Sequence, residues 1–364
     1  MEKSKSDVFI ICGERSGDLH GSHLIKELLS FNPDMKIHFW GGELMEKAGG
    51  VLLENYKNYN LMGFWEVITR VGFIYKKLEL CKEHILKCNP SIILLIDFPG
   101  FNMRIAKFSK RNGFKVHYYI PPKAWAWNRK RAYKLSKYSD KIYSILPFEV
   151  NFFRKYNCNI KYVGNPIVQY LNKKSADIKR NKNIISLLPG SRNSELKYSV
   201  PIFKKIIEKL SEYKFKVCAV DNVDQKFYRE FNNFSNAELV YDNTYKVVSS
   251  SKLSIVMSGT ASLEVAFTET PQVVVYKTSK ISFLIARFLV KVKYISLVNL
   301  ILNKRLVKEL IQNDFNHVNL LKEINSLEES INVAKIQSGY KTLKEVVGTN
   351  HSAELVRQGI IKSL

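Results

Sequence analysis

Four segments of the chain carry side chains suited to chemistry, and each follows a short apolar run. The first is Gly13-Glu14-Arg15-Ser16-Gly17-Asp18, after the run at 8–12. Its glycines permit a tight turn and close backbone approach, and Asp18 is placed to cap a following helix. Free N–H groups at a helix start suit an anion or a sugar hydroxyl. A plain strand-to-helix turn explains the glycines but asks for no carboxylate at Glu14. Glu14 is therefore a candidate catalytic group, and Gly13, Ser16, Gly17 and Asp18 form a candidate acceptor loop. The spacing is not Gly-x-Gly-x-x-Gly, so no dinucleotide is indicated. The second segment is Asp97-Phe98-Pro99-Gly100-Phe101-Asn102, after 92–96. An acid at the end of a buried strand is costly unless it is paired or used. Burial should raise its pKa and suit it to general-base work. The ordinary alternative is a satisfied structural acid.

The third and fourth segments look like phosphate and nucleotide contacts. Leu187-Leu188-Pro189-Gly190-Ser191-Arg192 places a guanidinium where it can match a pair of diphosphate oxygens. Ser258-Gly259-Thr260-Ala261-Ser262-Leu263-Glu264 combines small residues and hydroxyls in a phosphate cradle. Glu264, one turn into the next helix, could accept from the two hydroxyls of a ribose. The plainer alternative is an acid favoured by the helix dipole. No Asp-x-Asp occurs in the sequence, and the histidines show no metal-ligand spacing, His20 and His23 being a weak pair at most. Neither a metal nor another cofactor is expected, and Arg192 with helix dipoles would neutralise a leaving diphosphate.

These loops need a scaffold, and the apolar runs supply one. Runs at 8–12, 37–40, 92–96, 116–120, 142–145 and 161–163 read as parallel strands buried on both faces. Helical stretches at 19–29, 102–110 and 148–156 separate them. A polar, charged linker at 172–183 follows, and the same grammar restarts with strands at 184–188, 215–220, 238–241, 253–256 and 273–276. Helices at 200–212 and 261–268 fill the gaps. The reading is α/β: two Rossmann-like domains, 1–171 and 184–350, with a cleft between them. A terminal helix at 352–364, part of a segment from 351, is expected to cross back to the first domain.

The 364 residues suffice for two domains, and the formal net charge is +24. Such a surface attracts polyanions or anionic lipid, although Lys-rich composition contributes to it. With no RNA- or DNA-binding motif, nucleic acid is not an expected partner. The five cysteines form no CxxC pair and read as reduced, buried thiols. No signal peptide opens the sequence and no run reaches the ~20 apolar residues of a membrane span. A cytoplasmic protein in peripheral contact with a membrane is expected. One candidate contact is the stripe through Leu61, Phe64, Trp65, Ile68, Gly72, Tyr75 and Leu78, with Phe64, Trp65 and Ile68 as the expected membrane contacts. The other is 281–310, where apolar and basic residues alternate densely. For the first, a core-facing helix with a basic edge is the slightly better explanation of the segment alone; for the second, a well-packed edge of the domain explains it almost as well.

The sequence resembles the lipid-A-disaccharide synthase family. The resemblance rests on GERSGD at 13–18, LMGFWEV at 61–67, WAW at 125–127, LPFE at 146–149, LLPGSR at 187–192, SGTASLE at 258–264 and LVKELIQ at 306–312. These landmarks keep the family's order over nearly the whole chain. The resemblance implies a GT-B glycosyltransferase that joins UDP-2,3-diacylglucosamine to 2,3-diacylglucosamine 1-phosphate. The products would be the β-1′,6 disaccharide 1-phosphate and UDP. It implies an enzyme at the inner face of a Gram-negative inner membrane, with Asp97 as the essential acid. Nucleotide contacts would fall at Ser191, Arg192, Ser258, Gly259, Thr260 and Glu264, with Asn299 touching diphosphate or uridine. The long carboxyl-terminal segment could exchange between subunits of a homodimer. Some positions depart from the family pattern: Gly100 replaces a second acid, Pro121-Pro122-Lys123-Ala124 stands where the family has Ser-Pro-Ser-Val, Asn165 stands where some members have His, and Val298 replaces Pro. A UDP-N-acetylglucosamine 2-epimerase of the same architecture is the alternative, and would not need the basic amphipathic segments.

Overall fold

The computed structural model describes residues 7–59, 71–168, 180–290 and 292–364. The stripe residues Leu61, Phe64, Trp65 and Ile68 lie outside these, as does most of the 172–183 linker. The chain divides into two compact units, Met1–Pro166 with Asn350–Leu364, and Ile167–Thr349.

The first unit is built on strands β1 (Val8–Ile11), β2 (Ile37–Gly41), β3 (Val51–Asn55), β4 (Ile92–Ile96), β5 (Lys115–Tyr119), β6 (Lys141–Ser144) and β7 (Ile160–Tyr162). All pairings are parallel, in the order β3-β2-β1-β4-β5-β6-β7. Around the sheet lie helices α1 (Arg15–Phe31), α2 (Glu43–Lys47), α3 (Val71–Cys88), α4 (Pro99–Arg111), α5 (Lys130–Tyr138) and α6 (Glu149–Arg154). Residues 92–96 are all fully buried, as continuous apolar strands in a covered parallel sheet should be.

The second unit repeats the plan. Its strands are β8 (Asn181–Leu188), β9 (Lys214–Cys218), β10 (Ala237–Val240), β11 (Ser251–Met257), β12 (Gln272–Tyr276) and β13 (Lys308–Ile311). They pair in parallel in the order β10-β9-β8-β11-β12-β13. Its helices are α7 (Asn193–Lys209), α8 (Lys226–Arg229), α9 (Thr244–Ser250), α10 (Ala261–Phe267), α11 (Lys280–Leu289), α12 (Leu297–Leu302), α13 (His317–Ser326) and α14 (Ser330–Val347). Residues 181–183, read with the linker for their polarity, are the first residues of β8.

The last helix, α15 (Ser352–Ile361), belongs to the first unit and packs on α1. Arg357 lies over the Phe31 ring at 5.1 Å and reaches Glu27 at 3.7 Å. Gly359 lets the helix approach Tyr143, because a Cβ there would lie 2.2 Å from the phenol oxygen. The five cysteines are free and buried.

Candidate functional site

In each sheet the strand order reverses direction at one point, between β1 and β4 in the first and between β8 and β11 in the second. Ligands of doubly wound sheets bind outside the carboxyl ends of the strands at such switch points. Ile11 pairs with Leu95 and Val256 with Leu188, so in each unit the two loops singled out from the sequence leave the sheet side by side. Glu14 and Asp97 belong to the first switch point; Arg192 and the Ser258–Glu264 segment belong to the second.

Asp97 is held in a conformation that a side chain rarely adopts. Its φ is 45° and that of Phe98 is 47°, two consecutive non-glycine residues in the left-handed region. Each costs on the order of 1 kcal/mol or more. The surrounding contacts impose it. The Asp97 N–H donates to Tyr119 O at 3.0 Å. Its carbonyl accepts from Asn102 Nδ2 at 2.9 Å and from the Tyr118 hydroxyl at 2.7 Å. Pro99 then opens α4 at a position where its missing N–H costs nothing. The Phe98 ring packs over Gly13, where a Cβ would lie 2.2 Å from the ring. It stacks on Phe101 at 5.5 Å, and Phe101 stacks on Tyr59, whose hydroxyl donates to Cys12 O. Gly13 and Asp97 are thus packed as one unit through Phe98.

Burial, and then the nearby Glu14 carboxylate, push Asp97 up to about 6, while Lys123 opposes them. An acid with this pKa is mostly ionised at neutral pH and retains useful basicity. Glu14 is exposed at the start of α1, with Ser16 Oγ donating to its Oε1 at 2.6 Å.

The structure corrects the reading of Asp18. Helix α1 already begins at Arg15, so Asp18 lies inside it and caps a different element. Its carboxylate accepts from the N–H groups of Gly42, Leu44 and Met45 at 2.9–3.1 Å, closing the start of α2. It is 1% exposed and has no room for a ligand. Gly17 likewise serves packing, since a Cβ there would lie 2.7 Å from that of Cys12.

In the second unit, Gly190 turns the chain after β8 with φ 122°. Glu195 accepts from the Ser191 N–H at 2.9 Å and pairs with Arg192 at 3.1 Å. The Arg192 side chain is otherwise exposed, so its guanidinium is anchored at one edge and open at the other. After β11, Ser258 Oγ donates to Ile295 O at 3.0 Å, while Gly259 and Thr260 are exposed. Glu264 lines a pocket with Leu188, Thr244, Tyr245, Val248, Val265 and Thr268. Its burial raises its pKa, and among the described residues nothing hydrogen-bonds its carboxyl group. A half-buried acid left without a protein partner suits a ligand that brings its own donors.

Asn299 is corrected too. It is fully buried, and its side chain is fully committed to the protein. Nδ2 donates to Val307 O and Glu309 Oε1, both at 2.9 Å, and Oδ1 accepts from the N–H groups of Leu306 and Val307. Glu309 also accepts from Ser296 N, Ser296 Oγ and Ile295 N. The network fixes the segment whose carbonyl holds Ser258, so Asn299 shapes the loop from behind. Sequence reasoning missed Glu195 and Glu309; the first has the spacing of a helix-start acid after Arg192, and the second lies inside LVKELIQ.

Comparison with known proteins agrees with this layout. The family model for lipid-A-disaccharide synthetase matches residues 8–360. Lipid-A-disaccharide synthase 1 of Legionella pneumophila subsp. pneumophila (strain Philadelphia 1) is 33% identical over 347 residues, covering 91% of this chain and 90% of the relative. Lipid-A-disaccharide synthase of Geobacter metallireducens is 29% identical over 372 residues, covering 98% and 97%. Among solved structures, the UDP-GlcNAc 2-epimerase from Neisseria meningitidis superposes with TM-score 0.65 at 12% identity, over 98% of this chain and all of that one. A calicheamicin glycosyltransferase does so with TM-score 0.63 at 10% identity, over 100% and 99%. These two establish the shared GT-B fold. With the family match spanning both units, the chain belongs to the lipid-A-disaccharide synthetase family and is a UDP-sugar glycosyltransferase of GT-B architecture.

Proposed function

We propose that the protein transfers 2,3-diacylglucosamine from its UDP derivative to the 6-hydroxyl of 2,3-diacylglucosamine 1-phosphate, with inversion at the anomeric carbon. Asp97 carries the reading: a strained, half-buried acid with a pKa of about 6 at a switch point, in a chain of this family. It takes the proton of the acceptor hydroxyl as oxygen attacks the anomeric carbon and the bond to UDP breaks. Arg192 and the Ser258-Gly259-Thr260 loop stabilise the negative charge gathering on the departing diphosphate. Glu264 accepts from the ribose hydroxyls. The sequence holds no Asp-x-Asp, and the reading gives the neutralisation of the diphosphate to Arg192 and the Ser258-Gly259-Thr260 loop.

The acceptor and donor are lipids, and the reading includes docking on the anionic inner face of the inner membrane. Support comes from α11, where Ile281, Leu284 and Phe288 are 73%, 64% and 85% exposed. At ~100° per residue they share one stripe, with Lys280 and Arg287 along its edge. Among the described residues no helix is long and apolar enough to cross a membrane.

The test is an assay with both lipid substrates in mixed micelles containing EDTA, following UDP and disaccharide. Equimolar UDP and β-linked disaccharide support the reading. Turnover of UDP-N-acetylglucosamine with no disaccharide would replace it with the epimerase reading.

A further inference from the structure

Two sequence landmarks, Trp-Ala-Trp and Leu-Pro-Phe-Glu, have no part in the chemistry described so far, and they meet at one buried carboxyl group. Glu149, the first residue of α6, is 2% exposed. Trp125 Nε1 donates to its Oε1 at 2.9 Å, and its other oxygen faces Ser144 Oγ. The Trp125 ring also packs edge-on against Phe148 at 4.9 Å. The Ser144 hydroxyl faces two acceptors, Glu149 and Leu146 O, yet has one proton to donate. A proton on Glu149 completes the set. Burial raises Glu149 to about 7, which agrees with that proton count. The loop that carries Trp125 leaves β5 through Ile120, a β-branched residue with φ 60°. Pinned by Trp125, the loop carries Lys123, exposed and near enough to Asp97 and Glu149 to favour the charged form of each. Lys123 occupies a position where the family pattern has Ser.

We propose that Glu149 is a positioning residue for Asp97: it anchors Trp125, and the anchored loop keeps the Lys123 ammonium where its charge favours the Asp97 carboxylate as the acceptor hydroxyl arrives. The inference rests on Asp97 being the base. The groups facing Asp97 are Glu14 from the loop after β1, Tyr118 on β5, Lys123, and Glu149 behind the loop. Glu14 disfavours its charge and Lys123 favours it. Both oxygens of Glu149 are taken up by Trp125 and Ser144, so it acts through the loop it anchors.

The experiment is kcat/KM against pH for the full chain and for Lys123→Ser, Trp125→Phe, Glu149→Leu and Glu149→Gln, with Asp97→Asn alongside. Lys123→Ser should move the acid limb upward by about half to one unit, a ~3–10-fold loss near pH 5.5 that fades as pH rises. Trp125→Phe and Glu149→Leu should move it the same way. Glu149→Gln keeps an acceptor for the indole and should hold the limb within a few tenths of a unit, roughly the wild-type position. Combining Lys123→Ser with Glu149→Leu should shift the limb no further than Lys123→Ser does. If Glu149→Leu does not fold, Trp125→Phe carries the same information. An unmoved limb in Lys123→Ser, or additive shifts in the double variant, overturns the positioning role. Normal turnover by Asp97→Asn would instead remove the base itself, so the two failures are distinguishable.

Discussion

Asp97 sits in a left-handed backbone conformation and in surroundings that raise the energy of its carboxylate. Its carboxyl group is neutral more readily in the folded protein than in the unfolded chain, with a pKa raised from 3.8 to about 6. The folded state therefore holds the extra proton between those values. Stability contributed by that proton is present below about pH 4 and lost as pH rises through 6. Asp97→Asn removes the charge that is costly above that window. Thermal unfolding should show the variant more stable at pH 8, by on the order of 1–2 kcal/mol after solvent screening, and little changed at pH 4. Equal stability at both values would mean that Asp97 is not held out of water as described. The left-handed conformation at 97 and 98 was not legible in the sequence, because only the packing of Phe98 on Gly13 and the bonds to Tyr118, Tyr119 and Asn102 impose it. The position of the acid at a strand end was legible, because five consecutive apolar residues precede it.

At the scale of elements, the site depends on close approaches between loops and their supports. Gly13→Ala puts a Cβ into the Phe98 ring. It should cost about 1–3 kcal/mol of stability and lower turnover through Asp97; unchanged kinetics would separate the two loops. In the second unit, Arg192→Ala should weaken UDP binding about tenfold or more by calorimetry. Asn299→Ala should lower stability by about 1–3 kcal/mol along with UDP affinity, because it unties Leu306, Val307 and Glu309. Weaker UDP binding with full stability would restore Asn299 to a direct contact. The central strands could be read from continuous apolar runs. The edge strands β3 and β13 could not, because Val51–Asn55 and Lys308–Ile311 are short and partly exposed and carry charged or polar residues. Asp18 and Asn299 were misread for a related reason: residue type announces a hydrogen-bonding side chain but not whether backbone or ligand will use it.

At the scale of the whole molecule, the proposed membrane docking draws on both the excess of positive charge and the apolar stripe of α11. Replacing Leu284 and Phe288 with Ser should reduce sedimentation with anionic vesicles about tenfold, and binding by the unaltered protein should weaken with salt. Unchanged sedimentation would assign membrane contact elsewhere. The two-domain plan was legible because the strand-helix grammar restarts after a charged segment; the switch points that pair Glu14 with Asp97, and Arg192 with Ser258, emerge only from strand order. The central claim is that this chain forms a glycosidic bond with Asp97 as the base. Disaccharide formation by Asp97→Asn, measured on protein shown to bind UDP normally, tests it most directly. The account predicts a loss of about two orders of magnitude or more; turnover within a few-fold of the unaltered protein would contradict it.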